Sequence, residues 1–170
     1  MTINKTSTNA ANNDVSLVTN DLRVNNTLTI TAGRFVQGTL NLQADGSTSA
    51  IYVAYDGTYY NVSTGDIYLG GPVSNYGAVY LQGTTTACGE ADAILLRSTA
   101  AAQRAWNGPS NNYFVNDVDV QYMAGDIGIT AYSSTNSGNN GANWNFISSC
   151  LNSSPQVDLN GINVDGVNVK

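Results

Sequence analysis

The chain has 170 residues and a mass of 17.8 kDa, which fits one domain with its own core and is too short for two full-sized domains. The formal net charge is −6 with only six Lys and Arg residues, so no basic surface can neutralise a nucleic-acid backbone or an anionic membrane. The chain has no His, which excludes the common Ser–His and Cys–His catalytic arrangements.

The first half is predicted to form a succession of short strands. Residues 1–14 are polar and are expected to be a loose end or an edge strand. After them, apolar and polar residues alternate in short runs, and turn-forming Asn, Gly and Asp residues separate the runs. The segment 22–44 shows this pattern most clearly. Nine strands are predicted, at Val15–Val18, Leu22–Val24, Leu28–Ile30, Phe35–Val36, Leu40–Leu42, Ile51–Tyr55, Tyr59–Val62, Ile67–Leu69 and Ala78–Leu81.

The second half contains one segment that could form a helix. Residues 89–105 include good helix formers, but the apolar triplet Ile94-Leu95-Leu96 favours a strand at Ala93–Arg97. Tyr113–Tyr122 alternates cleanly and is predicted as one long strand. Two further strands are predicted at Ile127–Tyr132 and Trp144–Phe146, on either side of a polar loop.

Three segments follow from this pattern: a polar N-terminal segment or edge strand at 1–14, a β domain at 15–150, and an extended tail at 151–170. Residues 156–169 alternate strictly. They could form an edge strand, a hairpin, or a strand that joins the sheet of a neighbouring subunit.

Cys88 and Cys150 are the only cysteines, and their spacing does not match a zinc site. We expect them to form a disulfide, which would imply an oxidising compartment. The alternative is a pair of buried free thiols that pack as small apolar residues. The N-terminus lacks the basic and apolar regions of a signal peptide, so the expected extracellular or cell-surface location rests on the composition.

Several segments between residues 2 and 146 resemble the repeats of bacterial cell-surface proteins of the autotransporter and filamentous-haemagglutinin style. The N-terminal part of the resemblance lies in residues 2–6, 15–24 and 27–33. The C-terminal part, residues 95–98, 116–120 and 138–146, is similar to the closing coil of those arrays. The resemblance implies a right-handed parallel β-helix of about six or seven turns, with Trp144 and Phe146 closing one end of the core.

The predicted fold class is therefore all-β, with a short right-handed parallel β-helix as the first choice. An antiparallel β-sandwich or jelly roll is the alternative, because short strands at regular spacing also fit that architecture.

Tyrosines are the most distinctive side chains of the chain. Exposed tyrosines can stack on sugars or contact proteins, but tyrosine is also a normal strand residue that packs without a ligand. Both interpretations remain open. The predicted glycan-binding surface consists of Tyr52, Tyr55, Tyr59, Tyr60 and Tyr68. Tyr76 and Tyr80 lie in the same region of the sequence.

Aspartates provide two weaker hypotheses. Asp117 and Asp119 are expected on one face of a strand, where Asp92 or Asp126 could join them in a polysaccharide-cleaving site, as in a lyase or glycoside hydrolase. Asp117, Asp119 and Asp126 could instead bind calcium through oxygen ligands. No other cofactor is expected.

The predicted function is a non-catalytic structural module of an extracellular fibre, stalk or adhesin, which assembles with copies of itself through strand edges or stacked ends. A carbohydrate-binding module is the second hypothesis and a polysaccharide-cleaving enzyme the third. A glycan or a host surface is a further candidate partner, whereas nucleic acid and membrane insertion are not expected.

Overall fold

The computed structural model describes residues 1–6, 13–84 and 94–147. These residues form an all-β protein in which every strand pair is parallel. One three-residue 3-10 turn occurs at Ser110–Asn112. The strands are β1 Thr2–Asn4, β2 Asp14–Ser16, β3 Leu22–Val24, β4 Leu28–Val36, β5 Leu42–Ala44, β6 Ile51–Val62, β7 Ile67–Leu69, β8 Val73–Asn75, β9 Ala78–Gln82, β10 Ile94–Ser98, β11 Arg104–Asn107, β12 Tyr113–Asn116, β13 Val118–Gln121, β14 Met123–Gly125, β15 Ile129–Tyr132, β16 Thr135–Asn136 and β17 Trp144–Ile147.

The strands stack in three ladders. The first ladder contains β1, the first part of β4, the first part of β6, β8, β11 and β14. The second contains β2, the remaining parts of β4 and β6, and then β9, β12, β15 and β17. The third contains β3, β5, β7, β10, β13 and β16. Because β4 and β6 belong to two ladders, the first two ladders form one branched eleven-stranded sheet, and the third is a separate six-stranded sheet.

The fold-class prediction is wrong. The antiparallel sandwich or jelly roll fails because every described pair is parallel. A regular right-handed β-helix fails because the strands form one branched sheet and one separate sheet, not a helix of even turns. The chain between paired positions is also uneven, since it is more than twice as long from Val79 to Tyr113 as from Ile129 to Trp144.

Strand β4 changes direction at Gly33, whose φ of 82° is a left-handed value that glycine adopts without a steric penalty. A Cβ atom there would lie 2.5 Å from the carbonyl oxygen of Lys5 and 2.7 Å from that of Asn13. Glycine therefore lets the chain that follows β1 and the chain that precedes β2 reach the same point of β4.

The core lies between the ladders and is filled by the inward residues of each strand. Leu22, Leu42, Ile67, Leu96 and Val120 form one continuous row of register partners in the third ladder. Four of these residues are buried, and Leu22, at the N-terminal end, is partly buried. The alternation that predicted the strands therefore marks the inward face correctly.

The long strand predicted at Tyr113–Tyr122 is wrong. The structure divides this segment into β12 and β13, because Asp117 has a φ of 57°, which no regular strand can accommodate. By contrast, the strand predicted at Ala93–Arg97 is confirmed by β10, which is described from Ile94 onward.

Candidate functional site

The C-terminal end of the first ladder is closed by the loop before β17. On β14, the amide of Met123 donates to Oδ1 of Asn140 at 2.8 Å, and its carbonyl oxygen accepts from the amide of Gly141 at 2.7 Å. The carbonyl oxygen of Gly125 accepts from Nδ2 of Asn143 at 2.5 Å. Three main-chain groups on the outer edge of β14 are therefore already hydrogen-bonded within the chain.

Two tryptophans seal the core beside this edge. Trp144 is 5% exposed, and its ring meets Trp106 edge to face at a centroid distance of 5.4 Å. Phe146 stacks on Trp144 at a centroid distance of 6.3 Å and is partly buried. Trp144 and Phe146 thus lie at the end of the core where the sequence places them.

At the N-terminal end of the third ladder, the edge strand β3 differs from β14 in where its main-chain groups point. The amide of Leu22 donates to Asn41 and the carbonyl oxygen of Val24 accepts from Asp45, each at 2.9 Å, so both residues point their main chain toward the ladder. In a parallel strand the residue between two such positions points its N–H and C=O the opposite way. The main chain of Arg23 therefore faces outward from β3, the first strand of this sheet.

The same alternation applies to β2. Asn13 and Leu17 bond to β4 through their main chains, which leaves the main chains of Asp14 and Ser16 on the outer edge. The carbonyl oxygen of Asp14 accepts from Nζ of Lys5 at 3.2 Å. Near this edge Val15, Leu17 and Leu22 are only partly buried against the core, and Val18 is 83% exposed.

An ion pair joins β2 to β4 at this end. The guanidinium of Arg34 donates from Nε to Oδ1 of Asp14 at 2.8 Å and from Nη2 to Oδ2 at 2.5 Å. The hydrogen bond from Arg34 holds the pKa of Asp14 below its ordinary value and raises the pKa of Arg34. The Arg34 guanidinium also lies 4.7 Å from the ring centre of Tyr60, a cation–π distance.

The five predicted binding tyrosines do not lie on one surface. Tyr52 and Tyr55 are 37% and 81% exposed, whereas Tyr60 and Tyr68 are half-buried. Tyr59 is fully buried in the core, where its hydroxyl donates to Oε1 of Gln37. A ligand on the surface cannot reach that ring.

Burial is the main cause of the raised hydroxyl pKa of Tyr59 and of Tyr68. Desolvation raises the pKa of Tyr59 well above its ordinary value. The pKa of Tyr68 is also raised, first by desolvation and then by the charge of Asp66, to whose carboxylate its hydroxyl donates at 3.2 Å. Both hydroxyls stay protonated at neutral pH and act as hydrogen-bond donors.

The predicted aspartates are used in other ways. Asp119 forms an ion pair with Arg97, and both side chains are 18% exposed. Asp117 is buried, at the break between β12 and β13, so it does not share a strand face with Asp119. Among the described residues, no group of three or more His, Cys, Asp or Glu side chains is arranged to hold a metal ion, and Asp126 does not complete one. Asp92, Cys88, Cys150 and the tail 151–170 lie outside the described residues.

The sequence predicted no role for Asn140 or Asn143, and it marked Tyr76 as one of the distinctive tyrosines without placing it on the predicted binding surface. Asn140 and Asn143 lie in a stretch rich in Asn and Gly, where no local pattern distinguishes a capping amide from a turn residue. Tyr76 joins the rings of Tyr52 and Tyr55, with a centroid 5.9 Å from each. That contact depends on which strands become neighbours, and this information is not local.

Comparison of the chain with family models, with curated proteins and with solved structures found no match. In the described residues no helix is long and apolar enough to cross a membrane.

Proposed function

We propose that this chain is a non-catalytic structural module of an extracellular assembly, and that two copies associate through the outer edges of β1, β2 and β3. The carrying observation is that hydrogen bonds within the chain close the outer edge of β14, whereas among the described residues the outward main chain of β2 and β3 has one such partner, Lys5 on the carbonyl oxygen of Asp14. Edge strands with free N–H and C=O groups pair readily with another strand. On β14, by contrast, the same kinds of groups already have partners.

This difference favours a closed pair over an open filament. Head-to-tail stacking requires the β14 end of one copy to bind the β1 end of the next. The bonds to Asn140, Gly141 and Asn143 would have to break first, at a cost of about 1 kcal/mol each. Among the described residues, association of two N-terminal ends would displace one such bond, from Lys5 to the carbonyl oxygen of Asp14.

The side chains support a structural role over catalysis. Asp119 is held by Arg97, and the ion pairs of Arg34 with Asp14 and of Arg23 with Asp45 each connect neighbouring strands. These charges are engaged in joining neighbouring strands of the same ladder. The low charge content and the resemblance to bacterial surface proteins support an exported location.

The test removes the edge donors without changing the side chains elsewhere. In the variant Ser16→Pro/Arg23→Pro, two outward N–H groups are lost, and proline is tolerated at such edge positions. The control Ser16→Ala/Arg23→Ala removes the same side chains and keeps both N–H groups. Sedimentation velocity should give a dimer for the wild type and the control and a monomer for the proline variant.

Hydrogen exchange provides a second measurement that needs no variant. On β1, Met1 and Lys5 bond to β4 through their main chains, so the main chains of Thr2 and Asn4 face outward. The amides of Thr2, Asn4, Ser16 and Arg23 should exchange more slowly as the protein concentration rises, because pairing protects them. A wild type that remains monomeric, or edge amides whose exchange does not depend on concentration, would overturn the proposal.

A further inference from the structure

Three tyrosines form an exposed cluster at the bend of β6. Tyr52 and Tyr55 lie on β6, and Tyr76 follows β8, the next strand of the first ladder. The amide of Tyr76 donates to the carbonyl oxygen of Val53 at 2.8 Å, which fixes its main chain beside β6. Tyr52, Tyr55 and Tyr76 are 37%, 81% and 39% exposed, so a ligand in solution can contact each side chain.

The three rings do not share one plane. Tyr76 is the common neighbour of the other two rings, with centroid distances of 5.9 Å to each. The ring planes are tilted by 51° between Tyr52 and Tyr76 and by 44° between Tyr55 and Tyr76. Successive rings therefore face different directions, which suits a twisted chain and does not suit the flat face of a crystalline polymer.

Neutral polar groups surround the cluster. Thr29 and Ser74 are the register partners of Tyr52 on the two neighbouring strands, and both are partly exposed. Their hydroxyls, with those of the tyrosines, can donate to and accept from sugar hydroxyls. Asp56, which follows Tyr55, is exposed and would repel an anionic chain.

A second group of rings is less suited to the same role. Tyr60, Tyr80 and Phe114 are neighbours in the second ladder, with centroid distances of 6.1 Å. Arg34 covers one face of Tyr60, and Phe114 has no hydroxyl. These rings provide a matched control, because Tyr80 is 43% exposed, close to the value for Tyr76.

We propose that Tyr52, Tyr55 and Tyr76 bind a single, soluble chain of a neutral polysaccharide by stacking on successive sugar rings. Aromatic faces pack against the apolar faces of pyranose rings while the hydroxyl groups remain hydrated. The rings lie on β6 and beside β8, and β4 separates them from β1. They do not use the outward main-chain groups of β1, β2 and β3, so sugar binding does not require the proposed association.

Affinity electrophoresis tests the site with defined probes. Native gels would contain hydroxyethylcellulose, mixed-linkage β-glucan, xylan or galactomannan as neutral chains, and polygalacturonate as an anionic chain. The wild type should be retarded in at least one neutral gel and not in the anionic one. Tyr55→Ala/Tyr76→Ala should lose this retardation, with at least a tenfold weaker affinity.

The double variant Tyr60→Ala/Tyr80→Ala serves as the control and should be retarded like the wild type. Ser16→Pro/Arg23→Pro should also bind, which separates this site from the association edge. The proposal is overturned by the absence of retardation in every neutral gel, by equal losses in both tyrosine double variants, or by binding to microcrystalline cellulose alone. It is also overturned if Tyr55→Ala/Tyr76→Ala changes only the sedimentation coefficient, because the rings would then contact protein.

Discussion

The edge strands at the two ends of the stack are all parallel strands, but their outer edges differ in hydrogen bonding. At β14, amide side chains and a loop amide bind the outward main chain of Met123 and Gly125. At β1 and β2, the described residues provide one such bond, from Lys5 to the carbonyl oxygen of Asp14. Strand pairing alone does not determine whether an edge is closed, because the flanking side chains decide it.

The closed edge is expected to affect the stability of the monomer, and the open edge is expected to affect its association. A closed edge with its aromatic seal should contribute to the free energy of unfolding, since Trp144 is buried against Trp106. An open edge contributes little to the monomer and leaves hydrogen-bonding groups for a partner. Substitutions at the two ends should therefore change different measurements.

The largest effect on stability is expected from Trp144→Ala. Removing a nearly buried tryptophan loses its packing and leaves a cavity, so the free energy of unfolding should fall by about 3–5 kcal/mol in urea denaturation. Phe146→Ala, at a partly buried ring of the same strand, should cost clearly less. Equal losses would mean that Trp144 is not the seal of this end.

At the other end, Gly33→Ala should destabilise the attachment of β1 and β2 to β4. The added Cβ atom would clash with two carbonyl oxygens and would also strain a residue with a φ of 82°, at a cost of about 2–3 kcal/mol. The amides of Lys5 and Leu17 should exchange faster with solvent.

Gly38→Ala is the matched control for that experiment. Gly38 has a φ of 70°, but no atom lies within 4 Å of its added Cβ, so only the backbone strain remains. It should cost about 1 kcal/mol and leave the exchange of the Lys5 amide unchanged. A loss as large as that of Gly33→Ala would show that crowding is not the cause.

A smaller effect is expected from Asn140→Ala, which removes the acceptor of the Met123 amide and the donor to the carbonyl oxygen of Val120. The free energy of unfolding should fall by about 1–2 kcal/mol. The exposed edge should also begin to associate, which sedimentation at increasing concentration would detect. Asn20→Ala, at an exposed position near the open end, is the control and should change neither quantity.

The smallest effect concerns pH. Because Arg34 lowers the pKa of Asp14 in the folded state, the ion pair stabilises the protein above the ordinary carboxyl pKa, and this contribution is lost as the pH falls below about 4. Asp14→Asn should lower stability by about 0.5–1 kcal/mol at pH 7, an amount typical of partly exposed pairs, and by less at pH 3. Melting temperatures at both pH values test this, with the exposed Asp56→Asn as the control. An equal difference at the two pH values would contradict the assignment.

The sequence predicted the inward faces of the strands, which depend on local alternation. It did not predict the features that depend on contacts between distant residues. Leu22, Leu42 and Ile67 were placed correctly on an inward face, because a period of two is a local signal. The split at Asp117 could not be seen, since a single left-handed residue does not interrupt the pattern of side chains. The even turns of the expected β-helix also required strand neighbours that the sequence does not specify.

The candidate site shows the same division. Adjacent residues of a strand face opposite sides, so one of Tyr59 and Tyr60 must point inward. The predicted binding surface nevertheless includes both. Tyr59 is the inward residue, because its hydroxyl donates to the buried amide of Gln37. The pairing of Tyr76 with Tyr55, and of Asn140 with Met123, joins residues that are distant in the sequence and has no local signal.

A row of side chains beside the third ladder has a mechanical consequence. The carboxylate of Asp21 accepts from the amide of Asn41, Oδ1 of Asn41 accepts from the amide of Asp66, and Oδ1 of Asp66 accepts from the amide of Leu95. Each of these bonds runs in the stacking direction, parallel to the bonds between strands. A pulling force along that direction would act on successive strand pairs in series, so the weakest strand pair would separate first. The side-chain row adds a hydrogen bond to each strand pair that it crosses, and strand separation under tension should therefore start outside the row.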